Sequence, residues 1–202
     1  MIIIGITGGV GSGKSMVLRY LEREHSAAIC KADEVAKLLQ QSGQPVFEAM
    51  VEHFGLGIVN ESGELDREQL RGFVFEDEQE MQFLNSLIHP KVKEYILHEI
   101  EQQKNRHTKL FVVEAALLIE ENYDAVCDEM WYIHTDESIR RNRLKVSRGY
   151  TDSQIDAIIG KQQTESVFRA KCQTTIENGG DFEETKAQII ERIQILERKM
   201  EK

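Results

Sequence analysis

The stretch that decides the fold reads Gly8-Gly9-Val10-Gly11-Ser12-Gly13-Lys14-Ser15 and lies close to the start of the chain. It satisfies the pattern G-x-x-x-x-G-K-[ST], in which glycines let successive backbone N–H groups approach anionic oxygens closely. The helix expected after it presents unpaired N–H groups and a positive dipole end to phosphates. In this pattern Lys14 bridges the β- and γ-phosphates of a nucleoside triphosphate such as ATP, and Ser15 ligates Mg²⁺.

The flanking residues favour a functional phosphate loop over a chance glycine-rich turn. Ile2-Ile3-Ile4 predicts a buried strand before the loop, and residues 16–21 predict the start of a helix after it. The predicted nucleotide-binding residues here are Gly8, Gly9, Val10, Gly11, Ser12, Gly13, Lys14, Ser15 and Met16.

Composition excludes several classes of protein. The chain has 202 residues with a net charge of −10, and 41% of its residues are hydrophobic, which is ordinary globular composition. The negative balance argues against a nucleic-acid coat, and no apolar run approaches the ~20 residues needed to cross a bilayer. Three widely spaced cysteines fit neither a disulfide framework nor a zinc site. We therefore predict a cytoplasmic protein with no nucleic-acid partner and no membrane partner.

Short apolar runs alternate with helical patterns along most of the chain. The predicted strands are residues 2–4, 27–30, 110–113, 130–133 and 175–176. Strands separated by helices predict an α/β fold of three layers, a P-loop NTPase fold with a parallel five-stranded sheet covered on both faces. The C-terminal segment predicts a helix whose apolar stripe is Ile189, Ile193, Leu196 and Met200.

One long segment breaks this alternation. Residues 45–106 are mostly helical in pattern and lack a convincing strand, which indicates a helical insertion. We predict a single domain whose core comprises about residues 1–44, 107–137 and 166–202. The helical acceptor lobe then spans about residues 45–106, and a lid spans about residues 138–165.

The phosphate loop alone leaves the reaction open, because kinases, switches and motors share it. The chain is too short for a motor domain, and it lacks the Asn/Thr-Lys-x-Asp motif typical of a GTPase switch. A small-molecule kinase needs a phosphate loop, an acceptor lobe and a basic lid. The helical insertion and the basic stretch at residues 140–148 are able to supply the last two.

An ordered set of segments makes the sequence similar to a known family over almost its whole length. Those segments include Thr7-Gly8-Gly9, Ala32-Asp33, Leu87-Ile88-His89-Pro90, Ala116-Leu117-Leu118-Ile119-Glu120, Arg143-Leu144 with Arg148, Gln162, and Ile176-Glu177-Asn178-Gly179-Gly180. Together they resemble the dephospho-coenzyme A kinase family. The resemblance implies ATP-dependent phosphorylation of the ribose 3′-hydroxyl of the small molecule dephospho-CoA, which is the last step of coenzyme A synthesis.

The resemblance also implies roles for individual residues. Asp33 orients the acceptor hydroxyl and takes its proton, with helix capping as the alternative role. Lys14 and Arg143 stabilise charge during transfer. Further implied contacts are Arg148 and Asn178 with ATP, and Asp33, Arg67, His89 and Leu117 with the acceptor. Asn178 is alternatively a turn residue before Gly179, and Arg67 a surface charge.

Glu114 is the second candidate ligand of Mg²⁺, beside Ser15. It follows the predicted strand 110–113, where P-loop proteins hold their Mg²⁺ shell. An exposed carboxylate at the strand end is the alternative. His89 precedes Pro90, which restrains its neighbour to extended geometry and so predicts a helix junction there.

Lys31 departs from the family pattern, which has an acid at this position. Strand residues two apart share a face, so Lys31 is expected to point the same way as Asp33. It then contacts phosphate or lowers the pKa of Asp33, unless it is a surface substitution. Two further hypotheses stay open: a kinase for another nucleoside or nucleotide, and a nucleotide-binding regulator with weak turnover. We expect a monomer or a small homo-oligomer.

Overall fold

A computed structural model of the chain describes residues 1–75 and 77–200. The chain forms two compact units, Met1–Ile29 with Gln103–Lys202, and Cys30–Gln102. The strands are β1 (Ile2–Thr7), β2 (Ala28–Lys31), β3 (Leu110–Glu114), β4 (Glu129–His134) and β5 (Thr174–Glu177). The helices are α1 (Lys14–His25), α2 (Ala32–Leu39), α3 (Pro45–Phe54), α4 (Arg67–Phe75), α5 (Glu78–Asn105), α6 (Glu137–Arg148), α7 (Asp152–Ile159), α8 (Glu165–Lys171) and α9 (Phe182–Met200). Short 3₁₀ turns lie at Leu56–Ile58 and Tyr123–Ala125.

The five strands form one sheet in the order β2-β3-β1-β4-β5, which confirms the predicted parallel architecture. Strand β1 lies in the middle, with Ile2 beside Leu110 of β3 and Thr7 beside Tyr132 of β4. Every residue of β1 is buried, because helices cover both faces of a parallel sheet. This is why the run of isoleucines shows no alternation with polar residues.

The helices of the first unit supply the outer layers. Helices α1 and α9 pack on one face of the sheet, where Leu21 and Ile189 are fully buried. On the other face Phe168 of α8 stacks on Tyr132, with ring centroids 4.7 Å apart. The apolar stripe predicted for α9 is buried up to Leu196. Its last member, Met200, is 56% exposed, because the helix extends beyond the core against which it packs.

A buried ion pair ties α9 to the start of β4. Glu129 is 3% exposed and accepts hydrogen bonds from Arg192, from Thr174 and from the indole of Trp131. Burial by itself would raise the pKa of Glu129, but these hydrogen bonds and the Arg192 charge hold it below its ordinary value. No local sequence pattern predicts this interaction, because Glu129 and Arg192 are 63 residues apart.

The second unit is mostly helical, and the described part of residues 45–106 contains α3, α4 and α5, in line with its helical pattern. Its longest helix, α5, buries one stripe that contains Ile88 and Val92, with Leu84, Ile96 and Ile100. The predicted junction at His89 is wrong, because α5 continues through Pro90. Pro90 is exposed. The proline ring, and the helical hydrogen bond that the proline cannot make, therefore lie on the solvent side of α5 and do not disturb the buried stripe.

Candidate active site

Strand β1 leads directly into the phosphate loop, whose backbone tolerates few side chains. Gly8 has a φ of +148°, and a Cβ there would lie 2.6 Å from the carbonyl oxygen of Ile133. Gly13 has a φ of +87°, and its Cβ would lie 2.2 Å from Nδ2 of Asn178. Both positions therefore require glycine, for close approach as well as for backbone conformation.

Three side chains converge on the carbonyl oxygen of Ser12. It accepts hydrogen bonds from Nδ2 of Asn178 at 2.7 Å and from Nη1 of Arg143 at 3.5 Å. It also shares the single hydroxyl proton of Thr135, whose Oγ1 is 3.1 Å away, with the carbonyls of His134 at 2.8 Å and Asn178 at 3.0 Å. Thr135 and Asn178 are almost fully buried. We call Thr135, Arg143 and Asn178 the loop floor. It fixes the peptide that leads through Gly13 into the N-terminus of α1.

The loop floor is also bonded internally. Nη2 of Arg143 donates to the carbonyl of Asn178 at 2.9 Å, and Oγ1 of Thr135 lies 3.0 Å from the same oxygen. The side-chain oxygen of Asn178 accepts from Thr185 at 3.1 Å. The guanidinium of Arg143 thus places a positive charge beside the loop. Asn178 is more than a turn residue, since its amide holds the loop. Thr135 was not among the predicted residues, because a lone threonine after a strand carries no sequence signal.

Lys14 folds back over the loop. Its Nζ donates to the carbonyl of Gly8 at 2.7 Å and lies 3.8 Å from Oε1 of Glu114. Ser15 is exposed in the first turn of α1, and the amide of Met16 donates to the Gly13 carbonyl at 2.9 Å. Glu114 is the last residue of β3, beside Ile6, and not a residue beyond the strand. It is mostly buried, so the reading as an exposed strand-end carboxylate is wrong.

The apex of the loop is bound by two other side chains. Nε of Arg140 donates to the carbonyl of Val10 at 3.0 Å, and the Val10 amide donates to Oε1 of Gln162 at 3.2 Å. Arg140 belongs to the predicted basic stretch, and its spacing of three from Arg143 puts both on one helical face. Arg148, a predicted ATP contact, is exposed, with its guanidinium 5.8 Å from the ring of Tyr150.

The second unit carries the predicted base. Asp33 is an exposed residue in the first turn of α2. Lys31 takes the N-cap position, and among the described residues no side chain caps this helix through a hydrogen bond. The capping role left open for Asp33 is therefore not supported.

The expectation that Lys31 and Asp33 share one strand face is wrong. Strand β2 ends at Lys31, so Asp33 already follows helical geometry and the alternation stops between them. Nζ of Lys31 instead lies 2.8 Å from Oε1 of Glu34, in an exposed ion pair.

The remaining predicted acceptor contacts lie in different elements. Arg67 is exposed at the start of α4, and His89 is half-buried within α5. Both belong to the second unit. Leu117 belongs to the first unit, in the turns that follow β3, and is 43% exposed.

A parallel sheet with a phosphate loop after its central strand, held by basic side chains, defines the class of P-loop NTPases. The chain matches the family described as dephospho-CoA kinase over residues 2–184. It therefore belongs to the dephospho-CoA kinase family, which confirms the resemblance seen in the sequence. It is a kinase that uses ATP and acts at the last step of coenzyme A biosynthesis.

Known proteins agree with this assignment. A dephospho-CoA kinase of Symbiobacterium thermophilum is 35% identical over 189 residues, covering 94% of this chain and 79% of that protein. A solved structure from Thermus thermophilus has a TM-score of 0.82 and 25% identity, and the match covers 96% of each chain. The dephospho-CoA kinase from Campylobacter jejuni shares the fold, with a TM-score of 0.71, 20% identity and 96% coverage of each chain.

Proposed function

We propose that this chain transfers the γ-phosphoryl group of MgATP in line to the ribose 3′-hydroxyl of dephospho-CoA, through the residues assigned below. The hydroxyl oxygen forms the new P–O bond, the bond to the β–γ bridging oxygen breaks, and ADP leaves. The hydroxyl proton passes to the carboxylate of Asp33. Lys14 and Arg143 stabilise the charge on the transferring group.

The hydrogen bonds on the Ser12 carbonyl are the observation that carries this proposal. A phosphoryl transfer site works mainly by positioning and by electrostatic stabilisation. The loop floor holds the backbone at the N-terminus of α1 through buried bonds, and it brings Arg143 to the same place. The loop is therefore organised for a polyphosphate before one binds. Asn178 serves the nucleotide through this floor, and its contact with adenine stays a prediction, as does the contact of Arg148 with ATP.

Ser15 and Glu114 are the residues that would hold Mg²⁺. Their hydroxyl and carboxylate oxygens are the hard donors that Mg²⁺ prefers. Across residues 1–75 and 77–200, no three His, Cys, Asp or Glu side chains converge as a preformed metal cage. This fits a metal held by one or two protein oxygens together with substrate phosphates. When bound, the ion neutralises charge on the phosphates.

We further propose that Arg67, His89 and Leu117 contact dephospho-CoA. The acceptor lobe then covers about residues 45–106 and the lid about residues 138–165. None of the described helices is long and apolar enough to cross a membrane. Action in the cytoplasm, as a monomer or small homo-oligomer without a nucleic-acid partner, remains part of the proposal.

The test measures MgATP-dependent release of ADP with dephospho-CoA, adenosine and common nucleoside monophosphates as separate acceptors. We expect saturable turnover with dephospho-CoA, and loss of that turnover in Lys14→Met. Saturable turnover confined to another acceptor would contradict the assignment. Tight ATP binding without turnover on any acceptor would favour the regulator. Repeating the assay with EDTA tests the metal requirement.

A further inference from the structure

Two side chains from outside the phosphate loop hold Val10, the residue at its apex. Both backbone polar groups of Val10 are bound by side chains from outside the loop, its carbonyl by Arg140 at 3.0 Å and its amide by Gln162 at 3.2 Å. Arg140 lies in the first turns of α6, whereas Gln162 lies in the turn after α7. One loop residue is thus joined to both ends of the segment that contains these two helices.

The two side chains also bind each other. Nη2 of Arg140 donates to Oε1 of Gln162 at 3.1 Å, so this oxygen accepts from Arg140 and from the Val10 amide together. A carbonyl oxygen has two lone pairs, and both are used here. We call Arg140 and Gln162 the apex latch. The three hydrogen bonds form a closed ring between Val10, Arg140 and Gln162. Loss of either side chain therefore weakens the bond of the other to Val10.

The loop has the shape that Arg140 needs. A Cβ on Gly9 would lie 2.5 Å from Cζ of Arg140, so the guanidinium lies directly against the loop backbone. A Cβ on Gly11 would lie 3.0 Å from the Arg140 carbonyl oxygen. Glycines at these two positions therefore serve the close approach of α6 as well as any approach of phosphate.

Other contacts between α6 and α7 are weaker than the apex latch. Arg141 pairs with Asp156 and Lys145 pairs with Asp152, each at 2.7 Å, but Lys145 and both carboxylates are exposed and Arg141 is only partly buried. Exposed ion pairs contribute little. The latch is half-buried, includes a charged donor and ends on the loop backbone.

We propose that the apex latch is a positioning device, which holds the loop apex and the α6–α7 segment in the geometry that receives the nucleotide. This inference rests on the proposed function only in that the loop binds ATP. Arg140 and Gln162 act through Val10 and not on the reacting atoms. Their loss therefore weakens binding of ATP and ADP and leaves kcat close to the wild-type value.

Equilibrium binding of ATP and of ADP, without acceptor, tests the proposal. We expect Gln162→Leu and Arg140→Met each to raise the Kd for ATP and for ADP about tenfold, because each removes a hydrogen bond that involves a charged group. The double variant should bind about as weakly as either single variant, because the latch acts as a unit. Gln162→Glu should retain affinity, since a carboxylate accepts from both donors. Gln163→Leu is the matched control, since its amide binds the exposed Glu120 at 2.9 Å and not the loop.

Hydrogen exchange of the Val10 amide gives a second readout without nucleotide. Exchange should be faster in Gln162→Leu and in Arg140→Met than in wild type and in Gln163→Leu. If Gln162→Leu does not fold, Arg140→Lys serves, since it keeps the charge but loses the donor fork and should still weaken ATP binding. Unchanged or tighter ATP binding in the latch variants, or fully additive effects, would overturn the proposal. Because no acceptor is present, a wrong acceptor assignment leaves this test unaffected.

Discussion

The loop floor and the first turn of α2 both contain predicted site residues, but those of the floor are buried or partly buried and those of the turn are exposed. Thr135 and Asn178 are almost fully buried and bonded to the backbone of Ser12. Asp33 and Glu34 are exposed, and Glu34 forms a surface ion pair with Lys31. Residues of the floor should therefore affect stability and nucleotide affinity together. Substitutions in the α2 turn should change turnover or have no effect, and should leave stability and nucleotide affinity unchanged.

Asp33→Asn is expected to have the largest effect. The amide cannot take the hydroxyl proton, so kcat should fall about 100- to 10,000-fold, while ATP affinity and stability stay near wild type. Steady-state kinetics, nucleotide titration and thermal melting together check this. Glu34→Gln, in the same turn, is the control and should keep its kcat. Should Asp33→Asn only lower Tm, Asp33 is a structural residue and the comparison fails.

Gly13→Ala should strongly damage the loop floor. Residue 13 has a φ of +87°, which an alanine adopts only with strain, and the new methyl carbon would lie 2.2 Å from Nδ2 of Asn178. We expect a loss of about 3 kcal/mol in unfolding free energy, with ATP affinity reduced in parallel. Gly63→Ala is a matched control in the second unit. Its φ is +80°, but no described atom lies within 4 Å of the new Cβ, so only the backbone cost of about 1–2 kcal/mol applies. Equal losses in the two variants would show that the floor is loosely packed.

Glu129 is a buried carboxylate outside the loop floor, and its pKa makes the stability of the protein sensitive to acid. Its folded-state pKa lies below the ordinary 4.5, so its stabilising contribution is complete above that value. It is lost as pH falls through the folded-state pKa. Urea unfolding at a series of pH values should show a shallower loss of stability between about pH 5 and 3 in Glu129→Gln than in wild type. Identical slopes would contradict the shift. Arg192→Met should cost about 2 kcal/mol at neutral pH.

Thr135→Val tests one bond of the floor. Valine keeps the shape but removes the hydroxyl that lies 3.1 Å from the Ser12 carbonyl. We expect a loss of about 1 kcal/mol in stability and an ATP Kd raised several-fold, with kcat unchanged. Denaturant unfolding and nucleotide titration measure both. A stable variant with normal affinity would mean that Asn178 and Arg143 suffice.

Lys31→Gln should have the smallest effect. The ion pair with Glu34 is exposed, so its loss should change stability by less than about 0.5 kcal/mol. The KM for dephospho-CoA and the KM for ATP should both stay within twofold. A large rise in either would return Lys31 to the site, despite its present partner.

Local patterns were enough for much of the fold. The glycine spacing of the loop, the apolar runs of the strands and the stripe of α9 each depend on neighbouring residues alone. The error at Pro90 has the opposite cause. The preference of a single proline was outweighed by the stripe of α5, which is buried on both sides of Pro90, from Leu84 to Ile100.

The sequence by itself determined the phosphate loop, the parallel sheet and the family, because these follow from residue type at short spacing. Only the tertiary structure decided which side chains hold the loop. Thr135, Arg140 and Gln162 lie far from the loop in sequence, and they meet it because β4, α6 and the turn after α7 converge there. Such contacts depend on how elements pack, and no local preference of a threonine, an arginine or a glutamine specifies them.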